Sequence, residues 1–257
     1  MRYKGSRLSA TANTPTSLTA SGAWTLQQQM QANGTSTWPF VRDPQFNYVT
    51  MLLHGDGSAG ANNGSGAAVT PTVTNFNADA STNNFNVTIN GDARSNNFTP
   101  YQGDGYYSNY FDGSGDYLVT PSNTALSLGT GAFCAEFWVY ITSLAEDPSL
   151  INSNSTSIFY EVTGANRGLC FYANGAAQLT SSTTVLPLNS WNHVVVCRNS
   201  GGTLSSFVNG TRISTASSNT SSADFSASYI GRYIASAAGH LTGYMSNLRL
   251  VKASTPY

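Results

Sequence analysis

Charged residues are scarce in this chain. Only 9% of its 257 residues are Asp, Glu, Lys or Arg, and the formal net charge is −1. A protein that is attracted to nucleic acid or to an anionic membrane needs a surplus of basic residues. Neither kind of partner is therefore expected here, and the polar character of the chain comes from Ser, Thr, Asn and Gly instead.

Long apolar runs are also missing. No run is long enough to cross a bilayer, and the N-terminal segment MRYKGSRLSATANTP lacks the apolar core of a secretory signal peptide. Action outside a cell would therefore require another route of release, such as lysis of the cell that makes the protein. Aromatic residues make up 12% of the chain, which excludes the disordered class.

Cysteine is limited to three residues, an odd number. Cys134 lies on a predicted central strand, whereas Cys170 and Cys197 lie on strands that are possible neighbours, so one disulfide between Cys170 and Cys197 stays open. A chain of this size needs no disulfide framework. No two Cys or His residues form the close pair that a zinc motif requires.

The strongest pattern in the chain is the alternation of apolar and other residues from 133 to 141. Period-two alternation with aromatic and β-branched residues predicts a half-buried β-strand. One predicted face carries Phe133, Ala135, Phe137, Val139 and Ile141, and the other carries Cys134, Glu136, Trp138 and Tyr140.

Turn signals separate similar short segments along the rest of the chain. Asn90-Gly91, Asn174-Gly175 and Asn209-Gly210 each predict a hairpin turn, because Asn and Gly tolerate positive φ. The Gly-rich segment from Asp112 to Asp116 predicts a chain reversal between two further strands. About a dozen short strands with almost no helix predict an all-β, two-sheet antiparallel β-sandwich or jelly roll.

Residues 1–45 differ from this pattern and are predicted to form an extended N-terminal arm ahead of a domain at residues 46–257. The arm concentrates apolar side chains at Trp24, Leu26, Trp38 and Phe40. These side chains either pack back onto the main domain or dock into a neighbouring subunit, as exposed apolar patches commonly do at interfaces. We favour a role in assembly, and a homo-oligomer is expected.

Four motifs in order carry a family resemblance: YFDGSGDYL, AEFWVY, SWNHVVVCRNSGGTLSSFVNGTRIS and the closing HLTGYMSNLRLVK. Together they resemble the laminin-G-like branch of the concanavalin A-like lectin/glucanase superfamily over about residues 46–257. The resemblance implies two antiparallel sheets that pack face to face, one of them concave.

A second resemblance is narrower. LLHGDG, the repeated NNF, SNYFDGSGDYL and the segment from Thr19 to Trp24 are similar to structural proteins of marine bacteriophages, notably cyanophages. This implies a virion structural protein, a fibre, tail or capsid-surface appendage, that assembles in the host cytoplasm with other virion proteins. The alternative is an adhesin that recognises host surface glycans during host attachment, and a glycoside hydrolase is the third hypothesis.

Glucanases of the superfamily carry paired carboxylates on one strand, because retaining hydrolysis needs two carboxyl groups about 5–5.5 Å apart. Here Glu136 stands alone between Cys134 and Trp138 on its face, so no enzyme activity is expected. Glu136, Trp138 and Tyr140 are candidate carbohydrate-binding residues. The alternative is that both rings pack in the sandwich or under a loop while Glu136 makes a structural hydrogen bond.

Short carboxylates in Gly-rich loops are candidate calcium ligands, since Ca²⁺ takes oxygen donors. The candidates are Asp56, Asp104, Asp112 and Asp116. Laminin-G-like relatives bind calcium at such loops, which the resemblance carries over to this chain. Asp-Gly is also ordinary turn chemistry, and that alternative stays open.

Overall fold

The computed structural model describes residues 48–55, 79–101, 107–145, 147–162, 168–181, 185–236 and 238–252. The chain divides by its internal contacts into Met1–Phe46 and Asn47–Tyr257, and the described residues belong to the second unit. The four candidate assembly residues Trp24, Leu26, Trp38 and Phe40 lie outside the described residues, as do Asp56 and Asp104.

Seventeen β-strands and one 3-10 helix (Thr124–Leu126) account for the regular structure of the described part. The strands are β1 Val49–Leu53, β2 Thr88–Asn90, β3 Arg94–Asn96, β4 Ser108–Asp112, β5 Tyr117–Val119, β6 Ser127–Gly129, β7 Phe133–Ser143, β8 Ser149–Asn152, β9 Thr156–Glu161, β10 Gly168–Ala173, β11 Ala176–Leu179, β12 Trp191–Arg198, β13 Leu204–Val208, β14 Thr211–Ala216, β15 Ala223–Asp224, β16 Tyr229–Ile230 and β17 Thr242–Lys252. No helix of the described residues is long and apolar enough to span a membrane.

Two antiparallel sheets form a sandwich, which confirms the predicted fold class. Sheet 1 has the order β14-β13-β12-β7-β17-β4-β3, with β1 also paired to β17. Sheet 2 has the order β11-β10-β9-β8-β16-β5-β2, and β15 pairs separately with β6. All the ladders are antiparallel, as a jelly roll requires.

The inner faces of the two sheets share one apolar core. The five inward residues predicted on β7 are all fully buried, namely Phe133, Ala135, Phe137, Val139 and Ile141. Sheet 2 contributes Leu150, Ile158, Leu169 and Phe171 to the same core. The alternation in the sequence therefore predicts correctly which face of this strand the fold removes from water.

Two of the three predicted Asn-Gly hairpins are confirmed. Asn174-Gly175 joins β10 to β11 and Asn209-Gly210 joins β13 to β14, with positive φ at all four residues. The Asn90-Gly91 prediction is wrong as a hairpin, because β2 pairs in sheet 2 while β3 pairs in sheet 1. The dipeptide still makes a tight turn, but the turn carries the chain from one sheet to the other.

The segment from Asp112 to Asp116 makes a second crossing between the sheets, from β4 in sheet 1 to β5 in sheet 2. The buried Asp116 carboxylate joins the two crossings. Its Oδ1 accepts the amide N–H of Asp92 at 2.7 Å, and its Oδ2 accepts the amide N–H of Asp112 at 3.0 Å. Gly91 is required beside it, because a Cβ at this position would collide with Asp116 Oδ1.

The cysteine pairing differs from the one that the sequence left open. Cys134 and Cys197 form the disulfide, while Cys170 is a buried thiol that is not disulfide-bonded. The register of β7 against β12 explains this result, since Cys134 lies directly opposite Cys197 across the two strands. Cys170 lies in sheet 2, whereas Cys197 lies in sheet 1, so the two residues are not neighbours.

The buried carboxyl group of Asp116 is expected to make the stability of the protein depend on pH. Its burial outweighs the two amide donors and raises the pKa of the carboxyl from 3.8 to about 6. The folded protein then keeps a proton that the unfolded chain releases between about pH 4 and pH 6, so this group lowers the free energy of unfolding as the pH rises through that window. We expect the free energy of unfolding of the wild type, minus that of Asp116→Asn, to decrease by about 2 kcal/mol between pH 4 and pH 7.

Urea unfolding of both proteins at the two pH values measures this difference. The comparison removes the contribution of the other titrating groups, which the two proteins share. A wild-type advantage that grows with pH would show that Asp116 is stabilised as the carboxylate and would contradict the assignment.

Candidate functional site

A groove of about 620 Å³ lies on the outer face of sheet 2. Its lining is mixed, with hydroxyl and amide side chains beside three aromatic rings. The rings are Phe159, Tyr172 and Tyr233. Small-molecule sites in proteins commonly combine such rings with a small number of polar groups that fix the orientation of the ligand.

The floor of the groove follows from alternation along β9 and β10, and on β8 from an irregularity of register between Ser149 and Ile151 that leaves both Ser149 and Asn152 on the groove side. Where Leu150, Ile158 and Phe171 point into the core, the outward positions carry polar or amphipathic side chains. These outward residues are Ser149 and Asn152 on β8, Ser157 and Phe159 on β9, and Tyr172 on β10. Phe159 and Tyr172 are partly exposed on this floor, whereas Ser149, Asn152 and Ser157 are at most 7% exposed. The exposed polar side chains of the groove, Asn154 and Ser155, lie in the turn between β8 and β9.

The wall of the groove is the loop between β16 and β17. The loop closes on itself through the amide of Leu241, which donates to the carbonyl of Gly231 at 2.8 Å. Asn152 fixes it to the floor, because Asn152 Oδ1 accepts the amide N–H of Ile234 at 2.8 Å while its Nδ2 donates to Ser157 Oγ. Tyr233 stands on this wall with 45% of its surface exposed.

Ser149 lies where the wall meets the floor. Its amide donates to the carbonyl of Gly239 at 2.9 Å, and its hydroxyl is buried without a hydrogen-bond partner among the described residues. Gly239 adopts a φ of +63°, and a Cβ there would press on Asp147 O and on Tyr233 Cβ. The close approach of loop to sheet thus depends on a glycine at this position.

Asp147 is the only side chain with a formal charge at neutral pH among the described residues that line the groove. Its Oδ1 accepts the amide N–H of Val162 at 2.6 Å, which fixes the carboxylate at the groove's edge. The pKa of the nearby Cys170 thiol is raised to about 12, first by burial and then by the negative charges of Glu161 and Asp147. The thiol is therefore protonated at neutral pH and unsuited to act as a nucleophile.

The sequence-predicted sugar residues lie on the outer face of sheet 1, on the opposite side of the sandwich. Glu136 Oε1 accepts a hydrogen bond from Arg249 Nη1 at 2.6 Å, and Glu136 Oε2 lies 3.7 Å from His193 Nε2. Burial lowers the pKa of His193, and Glu136 opposes this effect. The Trp138 ring lies against His193, with ring centroids 5.0 Å apart.

Tyr140 is part of an aromatic cluster on that same face. Its ring centroid is 4.8 Å from Phe98, 5.6 Å from Trp191 and 6.0 Å from Tyr244. Phe98 contacts all three of these rings and covers the centre of the cluster. The rings thus contact one another, and Glu136 hydrogen-bonds to Arg249. Carbohydrate binding by Glu136, Trp138 and Tyr140 stays a prediction.

The candidate calcium ligands Asp112 and Asp116 are brought together, and Asp92 joins them. One carboxylate oxygen from each lies within 4.8 Å of the others. Each carboxylate also has an intramolecular contact: Asp92 pairs with Arg94 at 3.2 Å, Asp112 accepts the amide of Ser114 at 2.6 Å, and Asp116 accepts two amides. The donor set is all oxygen, as Ca²⁺ prefers.

The groove was not predicted from the sequence, although the sequence contains part of the polar pattern of its lining. The segment SLINSNSTSIF from 149 to 159 places Ser and Asn at outward positions of two adjacent strands and in the turn between them. The loop wall has no such signal, because Ile234 is 82 positions away from the residue that anchors it.

A laminin-G-like family model, described as the concanavalin A-like lectin/glucanases superfamily, matches residues 112–255. The chain belongs to this superfamily. The finding confirms the family resemblance and the lectin-like fold expected from the four motifs. No curated protein matches the sequence.

Solved structures with the same fold include binding domains of bacterial toxins. The binding domain of Paraclostridial Mosquitocidal Protein 1 has a TM-score of 0.57 and 13% identity, over 82% of this chain and 50% of that one. Botulinum neurotoxin type C, in a structure on cell entry through two ganglioside molecules, has a TM-score of 0.55 and 17% identity, over 81% and 48%. This superfamily member thus spans about half the length of these toxin chains.

A third similar structure has nearly the same extent as this chain. It is domain 4 of AbnA, an extracellular arabinanase from Geobacillus stearothermophilus, in complex with arabinotriose. The TM-score is 0.53 and the identity 13%, over 81% of this chain and 94% of that one. At such identities, the three likenesses establish the shared fold and nothing about the ligand of this lectin-like domain.

Proposed function

We propose that this lectin-like domain binds carbohydrate in the groove on the outer face of sheet 2. The observation that carries the proposal is the lining, which places hydroxyl and amide groups beside three aromatic rings in one concavity of about 620 Å³. Rings offer apolar faces to the C–H faces of a sugar, while Ser and Asn side chains exchange hydrogen bonds with its hydroxyl groups.

The architecture of the groove supports the same proposal. Its floor is a sheet whose inner face is fully packed, and its wall is fixed by the hydrogen bonds of Asn152 and Gly231. A preformed site loses little conformational entropy on binding. Similar folds are known with arabinotriose in an arabinanase domain and with gangliosides in a neurotoxin study, which is consistent with a glycan ligand here.

Binding without catalysis is part of the proposal. Retaining hydrolysis needs a second carboxyl group about 5–5.5 Å from the first. Asp147 is the only carboxylate among the described groove residues, and on sheet 1 Glu136 is engaged with Arg249. Oligosaccharides incubated with the protein should be recovered intact.

The groove predicts the outcome of two aromatic substitutions. Tyr233→Ala removes the exposed ring of the wall and should weaken glycan binding by about tenfold, because the stacking surface is lost. Trp138→Ala, on the opposite side of the sandwich, serves as the matched control and should leave the affinity unchanged.

The full chain and both variants would be tested on a glycan array, followed by calorimetric titration of the best ligand. Circular dichroism would confirm that each variant is folded. Loss of binding in folded Trp138→Ala, with Tyr233→Ala unaffected, would place the site with Glu136, Trp138 and Tyr140 on sheet 1 instead.

Calcium binding is a second proposal, supported by the oxygen donors of Asp92, Asp112 and Asp116. If these carboxylates hold the ion, millimolar Ca²⁺ should raise the melting temperature at pH 7 in the wild type but not in Asp112→Asn. Differential scanning calorimetry with added Ca²⁺ or a chelator measures this. Equal melting temperatures with and without the ion would leave turn chemistry as the full explanation of the cluster.

For the biological setting we propose a surface appendage of a bacteriophage particle, as the sequence motifs imply. In this proposal residues 1–45 join the protein to other virion proteins and to further copies of itself, and the lectin-like domain faces host glycans. Deletion of residues 1–45 should leave the domain folded and abolish incorporation into particles. Mass spectrometry of purified particles provides the measurement, and normal incorporation of the deleted chain would refute the role of the arm.

A further inference from the structure

We infer that the hydroxyl group of Ser149 is a specificity-determining contact of the groove, and that it recognises one hydroxyl group of the bound saccharide. The inference rests on the proposed function. It adds the residue that distinguishes a saccharide from the same molecule without that hydroxyl group. Ser149 is the first residue of β8 and lies where the floor of the groove meets its wall.

The Ser149 side chain is buried and unsatisfied within the fold. It is 2% exposed, and its Oγ has no hydrogen-bond partner among the described residues. Most buried polar atoms of folded proteins do have a partner, so this one calls for an explanation. The removal of the hydroxyl from water has already cost free energy during folding. A ligand that supplies the missing hydrogen bond recovers part of that cost.

The other buried polar side chains of the groove differ from Ser149 in this respect. Asn152 Nδ2 donates to Ser157 Oγ, and Asn152 Oδ1 accepts the amide N–H of Ile234 at 2.8 Å. Ser153 Oγ lies within hydrogen-bond distance of two backbone carbonyl groups. Among the buried polar side chains of the described groove lining, Ser149 is therefore the one that has no internal hydrogen bond to lose or to share when a ligand binds.

The space beside Ser149 is open because residue 239 is a glycine. A Cβ at Gly239 would lie 3.7 Å from Ser149 Cβ, and both residues line the groove. The Ser149 hydroxyl is covered, and rotation about χ1 between staggered rotamers is the motion that turns it toward a ligand. The rotation breaks no hydrogen bond to a described residue, and the amide of Ser149 stays fixed by its bond to the carbonyl of Gly239 at 2.9 Å.

Aromatic residues of the groove lie next to this corner. Phe159 is the partner of Ser149 across β8 and β9 and is partly exposed. Tyr233 approaches from the wall, since its Cβ would be 3.3 Å from a Cβ at Gly239. A sugar that packs its C–H face on one of these rings can place a hydroxyl group at Ser149. An apolar ligand of the same shape would leave Ser149 unsatisfied and is therefore disfavoured.

Ser149→Ala and Ser206→Ala separate this role from a structural one. Ser206 Oγ is also buried without a partner among the described residues, but Ser206 pairs with the core residue Val196 in sheet 1 and does not line the groove. Both substitutions remove an unsatisfied hydroxyl group, so each should raise the melting temperature by about 2 °C or more. Only Ser149→Ala should also weaken saccharide binding, by about tenfold.

Monodeoxy saccharides test the ligand side of the contact. A glycan array that includes arabinotriose, lactose and N-acetyllactosamine would identify the saccharide that binds the full chain most tightly. Calorimetric titration would then compare this saccharide with its monodeoxy derivatives. One derivative should bind the wild type about tenfold more weakly than the parent, while Ser149→Ala should bind both equally. That derivative identifies the hydroxyl group that Ser149 contacts.

The outcomes separate this inference from the proposed function. If Tyr233→Ala abolishes binding while Ser149→Ala keeps the wild-type affinity, the groove is a glycan site but the inference about Ser149 is wrong. A lower melting temperature of Ser149→Ala would show that the hydroxyl is satisfied in the folded protein, and an equal loss of affinity in Ser206→Ala would show a general effect of the substitution. Either result would overturn the inference. Silence of the folded wild type across the whole array would overturn the proposed function and this inference together.

Discussion

Strand β7 lies between β12 and β17 in sheet 1, and its inner side chains are removed from water by the facing sheet. The rest of the structure depends on this contact between the two sheets. Once one face of each sheet is buried, period-two geometry leaves a single outer face per sheet for all other side chains. The aromatic cluster, the disulfide and the groove all lie on these two outer faces.

The two outer faces differ because different loops approach them. On sheet 1, Phe98 contacts the rings of Tyr140, Trp191 and Tyr244, so the aromatic side chains there pack against one another. On sheet 2, the loop after β16 is fixed beside the sheet by Asn152, which creates a concavity next to the floor. Tyr140, Trp191 and Tyr244 are partly buried in this cluster, while Phe98 keeps 40% of its surface exposed, close to the 45% of Tyr233 on the groove wall.

Local patterns in the sequence predicted the strands, their inner faces and the sandwich, because alternation reports burial directly. They did not predict features that depend on residues far apart in the sequence. Asn90-Gly91 specifies the backbone of a turn but not the sheet in which the next strand pairs. The disulfide of Cys134 and Cys197 depends on the register of β7 against β12, 63 positions apart, and the groove needs a loop whose anchor is 82 positions away. No short segment of the sequence contains signals of this kind.

Several of the few charged residues of this chain make hydrogen bonds and ion pairs within the fold. The buried Arg198 guanidinium donates to the carbonyls of Gly129, Gly131 and Ser221 and to the side chain of Asn219, and so ties β12 to two loops. Arg249 engages Glu136, Arg94 engages Asp92, and Asp116 joins two crossings between the sheets. These charges act inside the protein, and the groove of the proposed carbohydrate site is lined by hydroxyls, amides and rings, with Asp147 at its edge. Such groups suit a ligand that is rich in hydroxyls, so the composition of the chain and the lining of the groove both agree with the proposed carbohydrate ligand.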